Sequence, residues 1–458
     1  MPSGRTFAFY GCLLSLMAAP AFAQSDSTQA DSGQSSSGQE YSGPAILSRG
    51  QTPGGQSDVP VAFRPYIGLN AIYDTGLVPV TATAAGEIPS TDLYGVQLNL
   101  GAYTYRTWKH TTLALDYRGD FRHYPDASYW DGTDQFLSLI LTHRPTKRVT
   151  FTLRNQSGLY TLNYFLSSAL GNLDPNYLQL PVSNIYDNRL YFLGTAGDLT
   201  FQKSARLSFN FGAEGNLMRQ QSNALYGVTG GIMRADAEYR ATRHTTLGVD
   251  YRFTYYDYTK SFGNSDISSV GLNYSTRFTP HVQLSARVGG ARVTSSSLTV
   301  VTLDPAVAAL LGVSVGIQAA YQLNYVPDVQ ARLTDTFRTS EVNISYMDSV
   351  VPGNGVYLTS RENTGIASYS YTGIRHWNFG VDGSYGRMTT LVLNDIGAYD
   401  TYGAGTGFTR DMGRGLHAVM RFDARHYNIA TGTMFKHNEY RVSLGVTFAP
   451  GDIPLALW

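Results

Sequence analysis

Charge is scarce in this chain. Only 15% of its 458 residues are Asp, Glu, Lys or Arg, against about 25% in ordinary soluble domains. The 34 basic and 34 acidic residues cancel, so there is no basic field to attract nucleic acid and no acidic tail. The one cysteine, Cys12, lies in a segment read below as a cleaved leader. That excludes a disulfide, a thiolate nucleophile and a Cys-bound metal from the mature chain. Long apolar runs are missing too. The nearest, Ala306 to Tyr321, is broken by Ser314 and Gln318 and falls short of the roughly 20 residues a membrane helix needs. The nine histidines are scattered without His-x-x-x-His spacing, so neither a metal nor any other cofactor is expected.

What is abundant is tyrosine, with 33 residues, and glycine, with 47. At the start, Arg5, the apolar stretch Phe7 to Met17 and the small-x-small triplet Ala21-Phe22-Ala23 have the order of an export signal over residues 1–23. Residues 24–60 are rich in Ser, Gly, Gln and Asp and read as a disordered periplasmic linker. From Val61 to Phe448 a different pattern holds.

That pattern has a period of two. Leu247, Val249, Tyr251, Phe253 and Tyr255 alternate with Gly248, Asp250, Arg252 and Thr254. Val315, Ile317, Ala319, Tyr321 and Leu323 alternate with Ser314, Gly316, Gln318, Gln322 and Asn324. A strand puts the two sets on opposite faces. Many such segments along one exported chain without membrane helices imply a closed barrel, because a bilayer leaves no other way to satisfy the backbone. Short turns at Thr107–His110, Arg144–Lys147, Gln202–Ser204, Ala241–Arg243, Thr279–Pro280, Val326–Pro327, Ile374–Arg375 and Arg410–Gly415 suggest hairpins. These cover 92–124, 134–160, 187–219, 226–258, 265–294, 312–340, 362–389 and 398–428. Single strands at 61–75 and 436–449 complete the set. The expected fold is all-β, a transmembrane antiparallel β-barrel of about 18 strands, with 16 as the alternative. The barrel spans 61–449 and is followed by a tail, 450–458, in which Pro450 and Pro454 prevent a continuous ladder.

Aromatics near strand ends (Tyr251, Tyr255, Tyr325, Tyr371, Trp377 and Tyr385) fit interfacial girdles. Tyr103 and Tyr105 fall on the lumen parity. Alternation also places three charged ladders inward: Asp116, Arg118, Asp120 and Arg122; Arg234, Asp236, Glu238 and Arg240; and Arg421, Asp423 and Arg425. Asp250 and Arg252 join them. Lipid-facing Arg or Lys at mid-barrel would cost roughly 2–4 kcal/mol each, which is why parity assigns faces. Two readings stay open: ion pairs that fill the interior, or a permeation path whose field selects solutes. Arginines outnumber carboxylates on the assigned faces, which gives an expectation of mild anion preference. Thr161–Asp187 and Ser295–Leu311 are candidate constriction loops, or external loops. Strand 328–340 is open to continuation through Glu341–Val350. His123 and His426, outward near the outer rim, have no convincing nucleophile partner, so no enzymatic activity is expected.

The opening strand, Phe63-Arg64-Pro65-Tyr66-Ile67-Gly68-Leu69-Asn70-Ala71-Ile72-Tyr73-Asp74, resembles the start of the second family of outer-membrane β-barrel porins. The Arg-containing turn Tyr239-Arg240-Ala241-Thr242-Arg243-His244-Thr245-Thr246-Leu247 is similar to the same group. The resemblance extends diffusely over about 61–448 and implies an outer-membrane location with no catalytic residue. Tyr440, Val442, Leu444, Val446 and Phe448 resemble a closing strand of the kind read by the barrel-assembly machinery.

The function that follows is a porin-like channel for passive diffusion of small hydrophilic solutes, embedded in outer-membrane lipid. The alternatives are a barrel for exopolysaccharide export or assembly, which predicts aromatic platforms in the lumen, and a plugged structural or adhesive barrel, which predicts no conductance.

Overall fold

The computed structural model describes residues 61–77, 91–160, 189–222, 225–259, 263–302, 304, 306, 312–392, 397–429, 435–451 and 453–454. The leader and linker, the candidate loop 161–187, the run 305–311 apart from Ala306, and residues 455–458 lie outside the described residues.

The strands in chain order are β1 (Val61–Leu77), β2 (Thr91–Thr107), β3 (Thr111–His123), β4 (Gly132–Thr146) and β5 (Val149–Tyr160). Next come β6 (Leu190–Gln202), β7 (Leu207–Gln220), β8 (Gly227–Arg240), β9 (Thr245–Thr259) and β10 (Asn264–Arg277). They continue with β11 (Val282–Thr302), β12 (Val315–Thr336), β13 (Ser340–Val351), β14 (Ser360–Tyr371) and β15 (Trp377–Thr390). The last are β16 (Tyr399–Gly413), β17 (Leu416–Ile429), β18 (Phe435–Phe448) and the two-residue β19 (Ile453–Pro454).

Each strand from β1 to β18 pairs antiparallel with its chain neighbours. β1 pairs with β18 from Ile67↔Phe448 to Thr75↔Tyr440 and closes the wall. The result is a closed transmembrane β-barrel of eighteen strands, as the alternation implied. Beyond Phe448 the ladder on β1 lapses and then resumes, with Ile453 opposite Phe63. The lapse falls at Pro450, whereas Pro454 sits within the resumed ladder opposite Ala62.

The two parities separate by chemistry. Ile67, Leu69, Val96, Leu247, Val249, Tyr251, Leu272, Val381, Leu444 and Val446 are exposed on the outside. Arg64, Asp74, Asp116, Arg118, Asp250, Arg287 and Arg441 are buried on the inside. An outward belt of exposed apolar side chains on a closed sheet is the surface a bilayer covers. Closed barrels of this kind are an outer-membrane architecture.

Three expectations are corrected. Val326–Pro327 is not a turn: β12 runs straight through it, and the reversal occurs between Thr336 and Ser340. Pro327 sits in register opposite Gly290 of β11, while pairing with β13 begins only at Val329↔Asp348. A proline fits a strand where its missing N–H faces an unpaired edge, and that is the edge available here. Residues 341–350 accordingly belong to β13 and do not continue the strand at 328–336. Ser295 likewise does not open a loop, because β11 stays paired to Thr302↔Val315.

Candidate functional site

The inward face at mid-wall is a set of ion pairs that link strands. Arg122 of β3 meets Asp134 of β4 at 2.6 Å, and Arg118 pairs with Asp116 on its own strand. Arg234 of β8 pairs with Asp198 of β6. Asp250 of β9 accepts from Arg287 of β11 at 2.7 Å and lies 3.7 Å from Arg252. Arg287 also pairs with Asp328 of β12. Arg421 of β17 holds Asp423 at 2.6 Å and Asp382 of β15 at 3.0 Å. At the closing seam Arg441 Nη2 donates to Asp74 at 2.9 Å, and the Tyr124 hydroxyl donates to the same carboxylate at 2.5 Å.

The sequence-derived residues sit as follows. Asp116, Arg118, Arg122, Arg234, Asp250, Arg252, Arg421 and Asp423 lie within these pairs. Arg425 faces Glu439 across the β17–β18 ladder. Asp120 is half-buried on the same face as Asp116 and Arg122. The side chains of Asp236, Glu238 and Arg240 are half-buried and make no ion pair or hydrogen bond with a described residue. Asp74, Asp134, Asp198, Arg287, Asp328, Asp382 and Arg441 were missed as partners. Parity gives each one's face, but which strand each meets depends on register.

Toward the long-connection end the inward parity changes from charged to apolar. Tyr160, Leu190, Phe192, Met218, Val228, Tyr256, Tyr258, Ile267 and Val293 form one buried cluster with Leu358 and Val392. Val351, Tyr357, Met388, Tyr399 and Tyr427 form another. Ile72, Leu77, Leu93, Tyr124 and Trp130 form a third.

Leu358 and Tyr357 belong to the loop between β13 and β14. No sequence signal singled out this loop, yet among the described residues it folds inward. Residues 352–359 are almost wholly buried. Asn354 Oδ1 accepts from the backbone N–H groups of Val356 and Tyr357, an Asx-type turn. Gly353 and Gly355 take φ of 81° and 94°, the left-handed region that glycine tolerates without cost. The loop is held from several sides. Tyr226 N–H donates to Gly355 O at 3.0 Å, and Leu391 N–H donates to Thr359 O at 2.9 Å. The Tyr258 hydroxyl bonds Thr359 Oγ1 at 2.7 Å, and Tyr357 donates to Gly397 O at 2.8 Å. The loop therefore ties β13 and β14 to the entry of β8, the end of β9 and the β15–β16 connection, narrowing the mouth it crosses.

The inward rings stack on one another. Tyr160 and Phe192 lie 5.5 Å apart at 3°, and Tyr399 and Tyr427 lie 6.2 Å apart at 9°. Tyr103 joins Tyr66 and Ala449 in a small inward cluster at the opposite end. On the outer rim, His123 Nδ1 lies 2.9 Å from Asp131, whose other oxygen accepts from Tyr124 N–H. His426 lies 2.7 Å from Asn438.

No family model and no curated protein matches the sequence. Among solved structures the chain is similar to Pseudomonas aeruginosa OpdQ, with 14% identity over 84% of this chain and 98% of that one and a TM-score of 0.40. It is similar to Pseudomonas aeruginosa OccK2 in complex with glucuronate, with 13% identity, the same coverages and a TM-score of 0.41. It is also similar to a BenF-like porin from Pseudomonas fluorescens Pf-5, with 12% identity, the same coverages and a TM-score of 0.39. Likeness at this distance carries none of those proteins' properties over to this chain.

Proposed function

We propose that the protein is a porin-like channel through which small hydrophilic solutes diffuse passively across an outer membrane. The observation that carries this reading is the charged inward parity of a closed eighteen-stranded wall, on which Asp236, Glu238 and Arg240 make no ion pair or hydrogen bond with a described residue. Barrels of 16–18 strands leave an aqueous lumen, and charges without partners in such a lumen are affordable only where water or a solute reaches them. Selection is by size at the inward loop and by weak fields at the wall. No covalent chemistry is involved.

The mild anion preference expected from the sequence has little surplus charge behind it. Every inward arginine singled out there except Arg240 has a carboxylate in an ion pair with it or opposite it in the ladder. We therefore assign at most a weak preference for anions. The export reading called for aromatic platforms open to the lumen, whereas the rings of the mouth pack against one another and are buried. In the same proposal residues 1–23 are a leader, 24–60 a periplasmic linker and 450–458 a tail, with the closing strand recognised by the barrel-assembly machinery.

Single-channel recording of the purified full-length protein tests the reading. Stepwise ohmic conductance is expected. Silence in wild type together with silence after removal of residues 353–358 would establish a plugged structural barrel instead.

A further inference from the structure

β11 and β12 outgrow their neighbours. The β10 ladder stops at Ser265↔Ser295, and the β13 ladder stops at Asp348↔Val329. Above those points residues 296–302 and 315–321 pair only with each other. The two strands form an arm standing above the rim.

On β12 the outward face does not become polar as it leaves the wall, although β11 places Thr294 and Ser296 beside it. Tyr325 and Tyr321 are 75% exposed, Ile317 is 73% exposed, and Leu323 and Leu298 are also exposed. On both flanks the outward parity has already changed. Asp266 and Ser268 stand on β10 beside Thr294 and Arg292, and Asp348 pairs with Arg361 at 2.6 Å on β13 and β14. A strand tilted by about 40° climbs about 2.6 Å per residue. The roughly 25 Å apolar band of such a barrel is thus crossed in about ten residues. Counted from Phe337, that places Pro327 at the outer interface, with Tyr325 about 5 Å, Tyr321 about 16 Å and Ile317 about 26 Å above it. Acyl chains do not reach that height.

Arg292 lies directly across from Tyr325 in the β11–β12 ladder. It is exposed and makes no ion pair or hydrogen bond with a described residue. The surface therefore offers two open phenol rings four residues apart, an aliphatic residue between them and one free guanidinium. That combination matches a sugar headgroup carrying phosphate: rings present amphipathic faces, and a guanidinium forms paired hydrogen bonds to phosphate oxygens. The apolar stripe is continuous with the lipid-facing wall below it, so the ligand is one whose tails sit in that wall's bilayer.

We infer that the outward face of the β11–β12 arm binds a phosphorylated glycolipid of the outer leaflet, with Arg292 on its phosphate and Tyr321 and Tyr325 on its sugars. The inference rests on the outer-membrane reading above.

Full-length protein in phosphatidylethanolamine nanodiscs, with lipid A added, is examined by native mass spectrometry. Phosphatidylglycerol serves as the anionic control. Arg292→Gln and the double variant Tyr321→Ser with Tyr325→Ser are each expected to weaken lipid A retention about tenfold. Conductance should stay unchanged, since these side chains point away from the lumen. Undiminished retention in both variants overturns the inference. So does equal retention of phosphatidylglycerol, or a lipid-independent cross-link between two copies through Tyr321→Cys. Conductance of the same samples reports on the channel separately, so failure of one reading does not masquerade as failure of the other.

Discussion

Arg421 of β17 and Asp382 of β15 form an ion pair at 3.0 Å across a strand to which neither belongs. The strand between them, β16, presents Gly405 there. A Cβ on Gly405 would lie 2.7 Å from both the Arg421 Nη2 and an Asp382 oxygen. The same device recurs at Gly212 of β7, between Asp198 and Arg234, and at Gly271 of β10, between Asp250 and Arg287. Glycine at the middle strand lets charges two strands apart meet over the wall.

Gly405→Val should therefore part Arg421 from Asp382 and lower stability by about 1–3 kcal/mol, the usual worth of a hydrogen bond between charged groups. Urea unfolding in detergent micelles measures it. Gly380→Ala is the control, because nothing lies within 4 Å of a Cβ there. Equal effects of the two changes would refute the spanning role.

The closing seam makes a second case. Asp74 is fully buried, and Arg441 and Tyr124 both bond to it. Asp74→Asn removes the carboxylate charge that Arg441 meets at the seam and should cost about 3–5 kcal/mol. Tyr124→Phe, which removes one neutral donor, should cost about 1 kcal/mol. Comparison of their urea midpoints checks the ranking.

Shortening the inward loop tests the constriction. Replacing residues 353–358 by a Gly-Ser linker should raise unitary conductance by about twofold or more, because the loop rather than the wall sets the narrow point. Thr359→Val removes only the hydroxyl contacts to Tyr258 and Ser265 and should increase open-channel noise with little change in mean current.

Selectivity should follow the unpaired wall charges. Asp236→Asn with Glu238→Gln shifts the reversal potential toward anions, and Arg240→Gln shifts it toward cations. Both shifts should shrink at 1 M salt, where screening acts within about 3 Å. Identical reversal potentials in all three proteins at low salt would place these residues outside the permeation path.

Acid should loosen the β3–β4 connection. Partial burial pushes the Asp131 carboxyl up, but the Tyr124 N–H and His123 beside it outweigh that and leave it lowered. A carboxyl lowered by folding stabilises the folded loop above its unfolded pKa and loses that contribution as pH falls through its folded value. Proteolytic nicking at residues 124–131 should rise on acidification in wild type, and should be already elevated and flatter with pH in Asp131→Asn.

Much of this architecture follows from alternation alone. Leu247, Val249 and Tyr251 against Asp250 and Arg252 assign outside and inside without any neighbour, because hydrocarbon excludes charge and a strand offers only two faces. The same rule identifies the charged ladders and the strand count. It could not place the β12–β13 reversal. Pro327 marks a turn as readily as an unpaired strand edge, and only the stagger of β13 against β12 distinguishes them. Nor could it join Asp74 to Arg441, which are far apart in sequence and adjacent only once the wall closes. The inward course of residues 352–359 depends on partners from several strands at once. Parity is local chemistry and is written in the chain; pairing, register and the folding of a loop into a lumen depend on which distant strands arrive beside it, and those are settled by closure of the barrel.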